Sequence, residues 1–174
     1  MICGIDNGLD GGLVFLTEAG EVLVKYVMPT LALKGSKREI DMAKLRDYLT
    51  LPLGVGTDGE LVDLSHVFLE RAQAMPGQGV SSMFSIGHGY GINKGLLAGL
   101  QIPFTIVSPQ VWQREMFKGL PKEGKDTTRI VCQRIWPKDD WRASERCKVA
   151  HDGLCDAALI AEYGRRFLRG QTNG

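Results

Sequence analysis

Three short apolar runs set close together at the N-terminus constrain the fold of this chain more than any other feature. Met1 to Asp6, Gly12 to Leu16 and Val22 to Met28 each have the length and composition of a strand. Gly8, Gly11 and Gly12 suit a tight hairpin between the first two, and the polar segment Thr17 to Glu21 joins the second to the third, which predicts an antiparallel meander. The pattern then changes. Ile40, Ala43, Leu45 and Leu49, with charged residues between them, have a helical period. The glycine-rich stretch Pro52 to Gly59 reads as a loop. Val62 to Leu69 follows as a fourth strand, Ser81 to Leu100 as a long helix and Ile102 to Val107 as a fifth strand. Pro109 to Phe117, Thr127 to Ile135 and Asp152 to Leu168 read as closing helices. There is no internal repeat and no low-complexity segment.

Against this pattern, a few carboxylates stand where a core element has no need of them. Asp6 ends the first apolar run, Glu70 closes His66-Val67-Phe68-Leu69-Glu70, and Asp152 and Asp156 open the last helix. Ordinary roles exist for each: Asp6 starting a turn with Asn7-Gly8, Glu70 pairing with Arg71, Asp152 capping a helix. Brought together, the same groups form an oxygen-rich site of the kind hard divalent cations such as Mg²⁺ select, with Mn²⁺ able to substitute. Phosphodiester hydrolysis needs an activated water, a partner for charge on the phosphate and a stabilised leaving oxygen. Two metals about 3.5–4 Å apart meet all three needs.

A chain of 174 residues with 44% hydrophobic composition can bury one good core and has no room for a second substantial domain, so residues 1–174 are expected to form a single unit. No stretch approaches the roughly 18 apolar residues of a membrane span. The start lacks the basic and long apolar regions of a signal peptide, which places the protein, as an expectation, in the cytoplasm of a cell or of an infected host. Cys3, Cys132, Cys147 and Cys155 form no CxxC pair, so buried reduced thiols are expected in place of a zinc site or disulfide framework.

The net charge of +1 hides an uneven distribution. Between Trp112 and Ala150 there are ten Lys or Arg against six acids, and the tail adds Arg165, Arg166 and Arg169. Solvated helix faces explain such a surplus by itself. Beside a metal site, the same cations become candidate phosphate contacts.

The order of elements and several motifs resemble the RuvC-type Holliday-junction resolvases of the RNase H-like superfamily. Gly4-Ile5-Asp6-Asn7-Gly8 resembles their first motif, and Phe68-Leu69-Glu70 their fourth-strand Glu. Ile106-Val107-Ser108-Pro109-Gln110-Val111-Trp112-Gln113 resembles the fifth strand and the helix start after it. Lys125-Asp126-Thr127-Thr128-Arg129 is similar to the basic start of the penultimate helix, and Asp152 to Ala161 to the last motif. Gly87-His88-Gly89-Tyr90-Gly91 and Ala161-Glu162-Tyr163-Gly164 look most like the phage and plastid branch. The resemblance implies an α/β, RNase H-like fold with a five-stranded mixed sheet and helices on both faces. It further implies a homodimeric endonuclease that cleaves four-way junction DNA with Mg²⁺, in a bacterial or phage-infected cell or an organelle nucleoid. Asp6, Glu70, Asp152 and Asp156 would be its catalytic metal ligands, and Lys94, Lys118, Lys122, Lys125 and Arg129 would contact DNA.

The last motif departs from the family. Its two metal-side residues usually stand three apart, whereas Asp152 and Asp156 stand four apart; either spacing leaves both on one helical face. His151 and Asp152 therefore compete for one place at the site. Asp152 is preferred because a carboxylate suits Mg²⁺ better than an imidazole.

In resolvases of this type an apolar side chain in the loop after the catalytic strand can wedge into the junction centre. Met75 and Phe84 are the candidates, core packing being the other reading of each. Gly91, Gly95 and Gly99 form a smooth helical stripe suited to close packing, including across a dimer. The run around Gly87 to Lys94 lacks the spacing of a Walker loop or a dinucleotide fingerprint. The fold and carboxylates also permit a nuclease acting on RNA/DNA hybrids or flaps. The first glycine motif has a further likeness to the phosphate hairpin of actin- and sugar-kinase-like ATP-binding proteins, but the chain has no room for their second lobe.

Overall fold

The computed structural model describes residues 1–35, 37–50, 63–73, 77–119 and 126–172. The expected loop at 52–59, Met75, Lys122 and Lys125 lie outside the described residues. The first three strands form as expected: β1 (Ile2–Asp6), β2 (Gly12–Leu16) and β3 (Val22–Val27) pair antiparallel in sequence. Two parallel strands, β6 (His66–Glu70) and β7 (Phe104–Val107), extend the sheet on the other side of β1, giving the mixed order β3-β2-β1-β6-β7.

Between β3 and the first helix the chain forms a small hairpin, β4 (Thr30–Ala32) with β5 (Arg38–Ile40). This corrects the placement of Ile40 in the helix. Asp41 ends the hairpin and caps α1 (Met42–Thr50), its side chain accepting from the Lys44 N–H at 3.0 Å. Arg38 reaches across to Asp10 at 2.8 Å and ties the hairpin to the β1–β2 turn.

Alternation along each strand sorts the core into two layers. Cys3, Ile5, Leu13, Phe15, Val67 and Leu69 face α1 and α2 (Val80–Gly99), with Leu45, Leu49 and Leu97 closing that side. Ile2, Val14, Leu16 and Phe68 face the opposite way, toward α3 (Pro109–Met116), α4 (Asp126–Ile135) and α5 (Asp152–Thr172). Helices therefore cover both faces. Residues Leu154, Cys155 and Ala157–Ala161 of α5 are all buried, so this helix crosses the middle of its layer.

Such a close crossing requires residues without side chains. A Cβ on Gly4 would fall on the Ala157 carbonyl oxygen and the Ala161 nitrogen, and one on Gly153 on the backbone of Asp10 and Gly11. All four cysteines are free, and three are buried.

The far end of α5 is held by an acid. Glu162 is buried and takes two contacts from Arg165, at 2.6 and 2.8 Å, and one from Arg166 at 2.8 Å. Arg165 also donates to the Glu18 carbonyl in the β2–β3 turn. Burial pushes the Glu162 carboxyl up, but the two guanidinium groups outweigh it and hold it below its usual range. Its contribution to stability is therefore present above the unfolded-state pKa and lost as pH falls through the depressed folded-state value. Glu162→Gln is expected to cost about 2 kcal/mol in chemical denaturation at pH 7, because it leaves a nearly buried guanidinium without its charge partner. The difference from wild type should shrink toward pH 3.

Candidate active site

The alternation that builds the core also places the acids. Asp6 follows Ile2 and Gly4 on the α5 side of β1, and Glu70 follows His66 and Phe68 on the same side of β6. The register pairs Ile5 with Leu69 in parallel, so Asp6 and Glu70 come one step later as neighbours at the same strand ends. Asp156, one turn into α5, reaches the same place, and its charge acts on Glu70.

Each acid is held by a specific partner. Asp6 accepts from the Gly8 N–H at 3.2 Å. The Glu70 carboxylate accepts from Trp112 Nε1 at 2.8 Å, while its backbone carbonyl accepts from Asn7 Nδ2 at 2.7 Å. Asp156 is bonded by the Thr128 side chain. Among the described residues Glu70 forms no ion pair with Arg71, which sets aside that alternative. Trp112 and Asn7 escaped the sequence reading. A buried indole N–H needs an acceptor, and Trp112 sits in the motif after the fifth strand, so a signal was present.

The electrostatics show how closely the groups interact. Burial raises Asp6 to about 6, with Asp10 adding to the rise. Burial raises Glu70 to about 8, aided by the charges of Asp6 and Asp156. Burial raises Asp156 to about 7, with Asp6 and Asp152 contributing. The charge of Asp6 weighs on both of the others.

Asp152 differs from these three. It is half exposed, and Arg129 of α4 donates to it through Nε at 2.7 Å while contacting Asp126 at 3.3 Å. The helix cap falls instead to His151, whose Nδ1 accepts from the Leu154 N–H at 3.3 Å as its carbonyl accepts from Cys155 N–H at 3.1 Å. The capping role considered for Asp152 therefore belongs to its neighbour. His151→Ala is expected to lower stability by about 1 kcal/mol, checked by thermal melting.

The donors suit a hard divalent cation in type and charge: all are carboxylates, and burial holds three of them above their usual range. Their side chains do not yet close on a common point. Among the described residues no group of three or more His, Cys, Asp or Glu is arranged to hold an ion. Metal loading would have to draw them inward.

The candidate DNA contacts separate into different settings. Lys118 is exposed, and Lys94 is exposed with its ammonium 5.3 Å from the Tyr90 ring centre. Arg129 turns toward the acids, and Arg165 and Arg166 are taken up by Glu162, which removes them from the pool of unengaged cations. Phe84 is not core: it is 74% exposed and stacks on His88. Among the described residues nothing lies within 4 Å of a Cβ added at Gly87, Gly91, Gly95 or Gly99.

No family model matches the chain, and no curated protein matches it. Solved structures do. The Thermus thermophilus RuvC in complex with a Holliday junction substrate is 13% identical, with a TM-score of 0.57 over 98% of this chain and 96% of that one. A second T. thermophilus RuvC structure is 14% identical at a TM-score of 0.54, with the same coverage. The yeast mitochondrial Holliday junction resolvase Ydc2 is 16% identical at 0.55, over 99% of this chain and 80% of that one. The chain shares the fold of these three structures, an α/β arrangement with a five-stranded mixed sheet and helices on both faces. Among the described residues no helix is long and apolar enough to cross a membrane.

Proposed function

We propose that this protein is a structure-specific endonuclease that resolves four-way DNA junctions, and that Asp6, Glu70, Asp156 and Asp152 hold Mg²⁺ ions for the hydrolysis. The observation that carries the reading is the meeting of three mutually repelling carboxyl groups at adjacent strand ends and the start of α5, in a fold shared with junction resolvases. Bound there, divalent ions would activate a water and offset charge on the phosphate and the leaving oxygen. The chain's own residues orient the acids: Trp112 fixes one oxygen of Glu70, Thr128 steadies Asp156, and the Gly8 N–H steadies Asp6. A Cβ added at Gly8 would sit in ordinary contact with Asp6 Oδ1 at 3.6 Å and the Gly11 nitrogen at 3.7 Å.

A four-way junction has two equivalent strands to cut, which a two-fold dimer matches with two sites. The glycine face of α2, which nothing among the described residues covers, offers a second copy a smooth surface. Met75 and Phe84 remain the wedge candidates, and Lys94, Lys118, Lys122 and Lys125 the phosphate contacts.

The test is a gel assay offering a synthetic four-way junction, a duplex, a flap and an RNA/DNA hybrid in Mg²⁺. Paired symmetric nicks in the junction alone are expected, from a species of dimer mass by light scattering. Preferential cutting of the hybrid or flap would assign the site to another RNase H-like nuclease.

A further inference from the structure

Arg129 occupies an unusual place for a DNA contact. It lies one turn into α4, next to Thr128, and the two successive residues each take one acid of α5: Thr128 bonds Asp156 and Arg129 bonds Asp152. The pairing with Asp152 is short, 2.7 Å, and Asp126 at 3.3 Å holds the guanidinium from its other side. Among the described residues it is the one cation in contact with any of the four acids. A fixed positive charge there does part of what a divalent ion would do, and it opposes the arrival of one. Released from Asp152, the same guanidinium is a forked donor suited to a phosphate.

We propose that Arg129 is an exchangeable counter-cation: it holds Asp152 in the free protein, moves to a DNA phosphate on junction binding, and thereby makes the outer carboxylate more available to metal when substrate is present. DNA and metal then favour each other through one side chain, and the coupling is reciprocal. The inference rests on the proposed metal site and adds a positioning residue that links loading to substrate. Its size is bounded by the exposure of the pair. Surface ion pairs support effects of up to about fivefold in affinity, not hundredfold.

The experiment is Mn²⁺ binding to the free protein, followed by electron paramagnetic resonance, for wild type, Arg129→Gln, Arg129→Lys, Asp152→Asn, the Arg129→Gln/Asp152→Asn double variant and Asp6→Asn. Arg129→Gln should bind Mn²⁺ about two- to fivefold more tightly than wild type. Arg129→Lys, which keeps the charge but loses the fork, should fall between. The gain should vanish when Asp152→Asn is the background. Unchanged or weaker binding by both Arg129 variants overturns the exchange. Equal binding by Asp6→Asn and wild type instead overturns the metal site itself, so the two failures are distinguishable. In junction binding, Arg129→Gln should reduce the slope of log affinity against log salt by about one; an unchanged slope means that Arg129 does not transfer to phosphate.

Discussion

Asp6→Asn, Glu70→Gln and Asp156→Asn should each leave junction binding close to wild type and reduce single-turnover cleavage by more than about a hundredfold, a rise of at least about 2.7 kcal/mol in the barrier. Each change keeps the side chain's shape and removes one negative charge from a site whose proposed task is to hold cations. Cleavage above about a tenth of the wild-type rate would remove that residue from the ligand set. The same variants should respond oppositely in stability. Glu70, Asp156 and Asp6 have folded-state values of about 8, 7 and 6, all above their unfolded values. The native state therefore holds protons that the unfolded chain releases, and stability falls as pH rises from about 4 to 8. In chelator at pH 8, Glu70→Gln should be more stable than wild type by on the order of 1–3 kcal/mol, since it no longer has a charge to bury. At pH 4 the gain should vanish. A variant inactive and also less stable at pH 8 would indicate a damaged fold in place of a lost ligand.

Gly4→Val is expected to give the largest loss of structure. The added atoms would fall on the backbone of Ala157 and Ala161, where no side chain can rotate away, so β1 and α5 must separate. Forced overpacking typically costs 1–3 kcal/mol when side chains can adjust; against backbone, at least about 4 kcal/mol is expected, a large part of a domain's total stability. Circular dichroism and denaturant titration would show it. A midpoint close to wild type would mean that the helix rides farther from the sheet than the structure places it.

The meander, the parallel pair and the main helices could be read from the chain because apolar spacing and burial agree there. β1 and β6 show it most clearly: once the strands are aligned, alternation puts Asp6 and Glu70 on one face. The β4–β5 hairpin could not be read in this way, because its strands are three residues long and half of their positions are exposed. Ile40 stands three residues before Ala43, a helical spacing, and only Asp41, as a cap, marks the true boundary. Charge was harder to interpret. A count of cations cannot reveal that Arg165 and Arg166 serve Glu162, or that Arg129 serves Asp152, since partners distant in sequence are set by helix packing. His151 was read as a rival ligand, and its capping role depends on where α5 begins, a position the spacing of Asp152 and Asp156 leaves undefined.

The placement of Asp156 on α5 has a consequence for how the molecule breathes. Local openings of a protein begin where few apolar contacts resist them, and the middle of its best-packed helix is among the last regions to come apart. One proposed acid rides at the head of that helix, two more end the central strands beneath it, and the fourth stands at the solvent edge on an exchangeable pair. Motion at the proposed site is thus expected to be freest at its outer member, Asp152, while the backbone that carries the other three acids is anchored in the core.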